Sequence, residues 1–165
     1  VREDFLKEQR KYYLQTGAFV NLAPKQLAGA GAPVLELDLL KVTVDELKDP
    51  KTPLVCKMRI AKDGPVEGFT GYFDTPFRGS PEHPATHEVT LTTGPTAGTA
   101  THWGQQLFCF NPPFATKKGD LLECSMIIRR QEKNHRLLQL ECKFVLKSES
   151  SGVVRDEREE TYFVD

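Results

Sequence analysis

Residues 138–147 read LQLECKFVLK, and this stretch decides the fold. An apolar side chain stands at every second position, and the positions between are mostly polar. A period of two indicates a β-strand with one face buried and the other exposed. The buried face is predicted to consist of Leu138, Leu140, Cys142, Phe144 and Leu146.

The same alternation recurs upstream, in residues 54–61, 69–74, 88–92 and 122–129, and residues 105–110 are predicted to form a further strand. Gly64-Pro65 is interpreted as a turn, and short polar segments separate the later strands. Residues 148–160 are predicted to form an exposed loop before a short closing strand at 161–164. This pattern predicts a mainly β chain, an antiparallel β-barrel or sandwich. No strand–helix alternation appears, which argues against a doubly wound parallel sheet.

A helix is predicted at residues 4–16, before the first strand. Its spacing places Phe5, Leu6, Tyr12 and Tyr13 on one face and most of the charged residues on the other. Asp4 is predicted to cap its N-terminus. The aromatic face requires a partner, which is either the strands of the same chain or another subunit.

Composition excludes several classes of protein. The 165 residues suit one domain, and 22 basic against 23 acidic residues give a net charge of -1, without the basic excess that nucleic-acid binding favours. No apolar run approaches the roughly 20 residues of a membrane span. The four cysteines lack metal-ligand spacing, so buried free thiols are expected and no metal site. The start at Val1, without a signal peptide, is interpreted as a cut through a longer protein.

Motifs of a self-sufficient enzyme are missing from the sequence, including GxGxxG, GxSxG and HExxH. Pro84 separates His83 from His87 and prevents a helix from aligning them. The exception is Thr101-His102-Trp103, which contains the only Trp and follows a loop of small residues. Adjacent imidazole and indole rings at a loop–strand junction can face a bound cation. The alternative is that these rings close the end of a barrel.

Several motifs in order resemble type I protein arginine methyltransferases. Thr101-His102-Trp103 is similar to that family's THW loop. Residues 68–74, GFTGYFD, resemble its GFxGWFD strand with Tyr72 in place of Trp. Residues 91–95 and 101–106 resemble LSTxP…THWKQ, with Gly104 in place of the common Lys. The Gly-Gln-Gln at 104–106, KNHR at 133–136 and both ends of the chain resemble the plant type 10 subgroup.

The resemblance implies a layout in which an S-adenosylmethionine-binding half precedes a β-barrel half that carries a helical arm. Residues 1–16 correspond to the distal part of that arm and residues 17–165 to the barrel. The arm residues Phe5, Leu6, Tyr12 and Tyr13 are then expected to close a homodimer. A helix packed on its own barrel stays open as the alternative.

The resemblance also implies residue roles. Thr101, His102 and Trp103 are expected to bind substrate, His102 supporting catalysis by pairing with a carboxylate of the absent half and Trp103 lining the guanidinium pocket. The cofactor site and the catalytic glutamate pair are expected upstream, so this chain alone is predicted to bind no cofactor and to be inactive. The intact protein is expected to transfer methyl groups from S-adenosylmethionine to arginine, with asymmetric dimethylation, in the cytoplasm, the nucleus or both.

Arg/Gly-rich proteins or histones are the expected substrates, and no membrane or direct nucleic-acid partner is expected. An acidic stretch is the candidate for holding basic tails, although an ordinary solvated face explains it equally well. Its members are Glu36, Asp38, Asp45, Glu46 and Asp49. Two other functions stay open: a non-enzymatic β-barrel interaction or regulatory module, and a carbohydrate-binding sandwich, which a single Trp supports weakly.

Overall fold

The computed structural model describes residues 2–48, 52–98 and 101–165, which fold mainly as antiparallel β-strands after an N-terminal helix. The helices in these ranges are α1 (Arg2–Arg10), continued by a π-helical turn (Lys11–Gln15), a 3-10 turn (Pro24–Gln26) and α2 (Val44–Lys48). The strands are β1 (Ala18–Val20), β2 (Leu54–Arg59), β3 (Gly64–Gly71), β4 (Asp74–Gly79), β5 (Pro84–Thr92), β6 (Gln105–Thr116), β7 (Leu121–Arg130), β8 (Leu138–Lys147) and β9 (Val154–Val164).

The strands form three antiparallel sheets. One has the order β2-β7-β8-β9, the second β1-β6-β3, and β4 and β5 pair as a separate hairpin. The mainly β antiparallel prediction is therefore confirmed. The strand pairs of the described residues do not close into a continuous barrel.

The core lies between the four-stranded and three-stranded sheets. The alternation in β8 is confirmed, with Leu140, Cys142, Phe144 and Leu146 buried, while Leu138 at the strand's edge is 40% exposed. Phe144 meets Phe110 of β6 edge-on at 4.9 Å between ring centroids. This burial of apolar and aromatic surface is the main source of the domain's stability.

Three cysteines lie in this core. Cys56, Cys124 and Cys142 are buried, and Cys56 lies directly opposite Cys124 on the neighbouring strand. All four cysteines are free thiols, as predicted. Contact with the Cys142 thiol, together with burial, raises the pKa of Cys124 to about 12. The pKa of Cys56 is likewise raised, by its contact with Cys124 and by burial.

Three predictions about the strands are wrong. Residues 69–74 do not form one strand, because β3 ends at Gly71 and β4 begins at Asp74. Gly64-Pro65 does not form a turn, because β3 already begins at Gly64, whose φ of 135° is open to glycine. The closing strand begins at Val154 and not at 161, so the exposed loop is confined to residues 148–153. Charged residues are tolerated in β9 because they are paired: Arg155 binds Asp120, and Arg158 binds Asp156.

The N-terminal helix is confirmed with different ends. It already includes Arg2, the first described residue, and Asp4 lies inside the first turn and does not precede it. Acidic residues at Glu3 and Asp4 suit that position because they face the positive end of the helix dipole. No helix in the described residues is long and apolar enough to span a membrane.

Candidate functional site at the 94–104 loop

The segment 94–104, which we call the THW loop, follows β5 and precedes β6 in the chain, and the structure describes its residues 94–98 and 101–104. His102 and Trp103 lie at the surface. Trp103 is 59% exposed, and His102 is exposed as well, while Thr101 is half-buried. The indole of Trp103 contacts the ring of Phe73 edge-on, at 6.1 Å between centroids. The rings of His102 and Trp103 therefore lie at the edge of the β-sheets, where a binding partner can reach them.

Glycines allow the loop to lie close to its neighbours. Gly104 has a φ of 48°, and a Cβ there would stand 2.5 Å from the carbonyl oxygen of Val20. A Cβ on Gly94 would stand 2.8 Å from the ring of Tyr72. A larger residue at either position would push the loop away from β1 or from Tyr72.

Both ends of the loop are held by buried polar side chains. At one end, the Thr93 hydroxyl donates to the Phe73 carbonyl at 3.1 Å and accepts from the Phe73 amide at 3.0 Å. At the other end, the Gln105 amide donates to the Thr93 carbonyl oxygen at 2.6 Å and accepts from the Leu22 amide at 2.8 Å. Thr93 and Gln105 belong to the family-like stretches 91–95 and 101–106 of the sequence, but the sequence pattern indicated a role for neither residue.

The aromatic face of the arm, residues 2–16, is exposed to solvent. Phe5, Leu6, Tyr12 and Tyr13 are 58%, 55%, 70% and 65% exposed. The arm meets the rest of the chain at its base, where the Lys11 ammonium lies 4.2 Å from the centre of the Phe163 ring. The interpretation in which this face packs on the chain's own strands therefore disagrees with the structure.

The acidic stretch has local roles where it is described; Asp49 lies outside the described residues. Lys41 holds the pKa of Asp38 below its usual value through a salt bridge of 3.0 Å. Glu46 accepts from the backbone amide of Thr43 at 2.7 Å, which lowers its pKa, and from the Thr43 hydroxyl. Asp38 thus supports the turn at residues 38–41, Glu46 supports the start of α2, and Glu36 and Asp45 are exposed.

Residues 2–48, 52–98 and 101–165 contain no group of three or more His, Cys, Asp or Glu side chains arranged to hold a metal ion. His83 and His87 are both exposed on the β4–β5 hairpin. The described strands pair antiparallel, and none leads through a glycine-rich loop into a helix, which is the arrangement that binds the phosphate or adenosyl part of a nucleotide.

The antiparallel fold, the exposed arm and the THW loop define a class of protein domain. Residues 5–149 match the arginine methyltransferase oligomerization subdomain. The chain therefore belongs to the arginine methyltransferase family and corresponds to that subdomain.

Protein arginine N-methyltransferase PRMT10 of Arabidopsis thaliana is 35% identical to the chain over 161 residues, which cover 98% of this chain and 42% of that protein. PRMT10 of Oryza sativa subsp. japonica is 39% identical over 145 residues, 88% of this chain and 38% of that protein. The chain thus spans about two fifths of the length of the curated relatives it matches.

The fold agrees with a solved relative. A crystal structure of Arabidopsis thaliana protein arginine methyltransferase 10, described as a uniquely open conformation, superposes with a TM-score of 0.92 at 33% identity, over 99% of this chain and 46% of that one. A Trypanosoma brucei PRMT1 enzyme–prozyme complex shares the fold, with a TM-score of 0.74 at 18% identity. The resemblance to the plant type 10 subgroup is confirmed, and the roles of Thr101, His102, Trp103 and the arm residues stay predictions.

Proposed function

We propose that the intact protein transfers methyl groups from S-adenosylmethionine to arginine side chains of proteins, with asymmetric dimethylarginine as the product. This chain is its substrate-binding and dimerisation half, residues 1–16 forming the distal part of the arm and residues 17–165 the β domain. The observation that carries the proposal is the exposed His102–Trp103 pair, which lies between the end of β5 and the start of β6 in a chain of this family. Substrates rich in Arg and Gly, or histone tails, suit such a site, in the cytoplasm, the nucleus or both.

His102 and Trp103 act by positioning in this proposal. The imidazole pairs with a carboxylate outside this chain, and the indole forms one wall of the pocket that receives the guanidinium group, with Thr101 beside them. A cationic guanidinium is attracted to the face of an indole ring. Holding it in one orientation lowers the barrier because the orientation is fixed before the reaction begins.

S-adenosylmethionine supplies the methyl group of its sulfonium to the arginine nitrogen. In the proposal, the cofactor and the acidic groups that accept the proton belong to other parts of the intact protein. This chain by itself is accordingly inactive in the proposal.

The arm mediates homodimer formation in the proposal. Its exposed side chains, Phe5, Leu6, Tyr12 and Tyr13, present an apolar patch that a single copy of the chain leaves in water. Clustered exposed aromatics of this kind mark protein–protein contact sites. The match to an oligomerization subdomain supports this use of the arm.

The experiment is a methyl-transfer assay on the intact protein with S-adenosylmethionine and an Arg-Gly peptide. We expect His102→Ala to lower kcat/KM by about tenfold or more, since positioning groups of this kind contribute on that scale. The matched control is His135→Ala, which removes another exposed imidazole, in the turn between β7 and β8. An unchanged rate in His102→Ala, or an inactive wild-type protein, contradicts the proposal and favours a non-enzymatic interaction module.

A further inference from the structure

Gln105 occupies a place in the fold where three segments meet. It is the first residue of β6, pairs with Val20 of β1 and is 6% exposed. Its side chain bridges the residue before the THW loop, Thr93, and the segment after β1, at Leu22. One amide group therefore closes the loop at its base and fastens it to the N-terminal part of the β domain.

The bridge continues directly to the exposed rings. Thr93 is 2% exposed and is bound to Phe73 through its hydroxyl and also through its backbone amide, which donates to the Phe73 carbonyl at 3.0 Å. The ring of Phe73 in turn contacts Trp103. Gln105, Thr93 and Phe73 thus form one connected network that reaches from the interior to the indole.

An amide side chain of this length satisfies both neighbours at every pH. The Thr93 carbonyl needs a donor and the Leu22 amide needs an acceptor. A glutamate would keep the acceptor but, when ionised, would set a carboxylate oxygen against the Thr93 carbonyl oxygen. A buried polar group that loses its partner is costly, so the loop end would move to relieve the contact.

We propose that Gln105 is a positioning residue of the site, whose amide holds the THW loop so that His102 and Trp103 face the substrate arginine. The inference rests on the proposed function for its catalytic consequence. Gln105 itself does not touch the reacting atoms.

The first test compares Gln105→Glu with the wild type in the methyl-transfer assay on the intact protein, across about pH 6 to 9. Burial and the facing carbonyl raise the pKa of the introduced carboxyl, which can donate to Thr93 only when protonated. We expect kcat/KM relative to wild type to fall as the pH rises, by about tenfold or more at the alkaline end. Gln105→Met, which lacks both polar groups, is expected to show a similar loss at every pH.

The matched control is Gln26→Glu. The Gln26 side chain is exposed and uses only its oxygen, accepting from the Ala23 amide at 2.8 Å, so a glutamate there keeps the contact. Its relative activity is expected to stay near that of the wild type at every pH. The inference is overturned if kcat/KM of Gln105→Glu relative to wild type does not change with pH, or if it matches that of Gln26→Glu.

A second readout does not depend on methyl transfer. Trp103 is the only Trp of this chain, so its fluorescence anisotropy decay in the 165-residue chain reports the local motion of the loop. We expect the amplitude of the fast component of this decay to be larger in Gln105→Glu than in the wild type at alkaline pH, and to decrease on acidification. In Gln26→Glu the amplitude is expected to stay constant. If the intact protein has no activity, only the proposed function is contradicted. If the anisotropy decay of Trp103 is the same in Gln105→Glu as in the wild type, the role of Gln105 is contradicted.

Discussion

Asp120 is a charged residue that the domain accommodates in its interior, at 3% exposure. One carboxylate oxygen accepts from the Lys117 amide at 2.8 Å and also binds the Arg155 guanidinium. The pairing joins the turn before β7 to the edge strand β9. A buried charge is tolerated only when its partners replace the water it has lost.

Replacing Asp120 by Ala is expected to destabilise the chain by about 2–4 kcal/mol, because it leaves Arg155 and the Lys117 amide without their partner. The measurement is urea unfolding followed by circular dichroism. Glu149→Ala is the control, since the Glu149–Arg59 pair is more than half exposed and is expected to contribute less than about 1 kcal/mol. Equal effects of the two substitutions would contradict this prediction.

Glu123 contributes stability that depends on pH. Hydrogen bonds from Lys147 and Lys57 lower its pKa from the ordinary 4.5. A carboxyl with a depressed pKa in the folded state stabilises above its unfolded pKa and loses that contribution as the pH falls through the folded value. The stability difference between wild type and Glu123→Gln is therefore expected to be constant from pH 7 to about 5 and to shrink below 4.5. A difference that grows on acidification would refute it.

The buried thiols are expected to resist alkylation. The raised pKa values of Cys56 and Cys124 keep both as thiols at pH 8, and their burial blocks access. Under native conditions iodoacetamide should modify Cys109, which is half-buried, faster than either. In denaturant all four should react alike. Mass spectrometry of the labelled peptides measures this, and rapid native labelling of Cys124 would contradict it.

At the level of elements, alternation predicted the strands that have one buried face, such as β2, β7 and β8. It placed the start of β9 too late, because the charged residues 155–158 look like a loop in the sequence. Their pairing, of Arg155 with Asp120 and of Arg158 with Asp156, is visible only in the structure. The turn predicted at Gly64-Pro65 is wrong for a related reason, since a glycine–proline pair at the first positions of a strand has the local sequence of a turn. For the candidate site, the sequence indicated the exposed rings but not the Gln105 bridge, which depends on segments far apart in the chain.

The aromatic face of the arm is exposed in one copy of the chain, and the proposal places its partner in a second copy. Removing residues 1–16 from the intact protein, or changing Tyr12 and Tyr13 to Ser, is expected to shift its sedimentation from dimer to monomer, because the exposed aromatic surface is lost. Lys7→Ser is the control on the same helix. A dimer that persists in the shortened protein would show that the arm is not the contact.

For the whole molecule, the two facing sheets form the scaffold, and the proposed functional surfaces lie on a loop and on the N-terminal arm. The core is built from β2, β3, β6, β7, β8 and β9. The arm and the THW loop extend from it. Gly17, directly after the arm, donates to the Phe163 carbonyl of β9, and Gln105, directly after the THW loop, accepts from the Leu22 amide after β1. In the proposed function, this division lets the β domain present the rings of His102 and Trp103, and the apolar face of the arm, to polypeptide elsewhere in the assembly.

Methyl transfer from S-adenosylmethionine to an Arg-Gly peptide by the intact protein tests the central claim most directly. Wild type and His135→Ala should give asymmetric dimethylarginine at equal rates, and His102→Ala should be slower by at least about tenfold. Equal rates for all three proteins would show that the imidazole at the rim of β5 and β6 takes no part in the reaction.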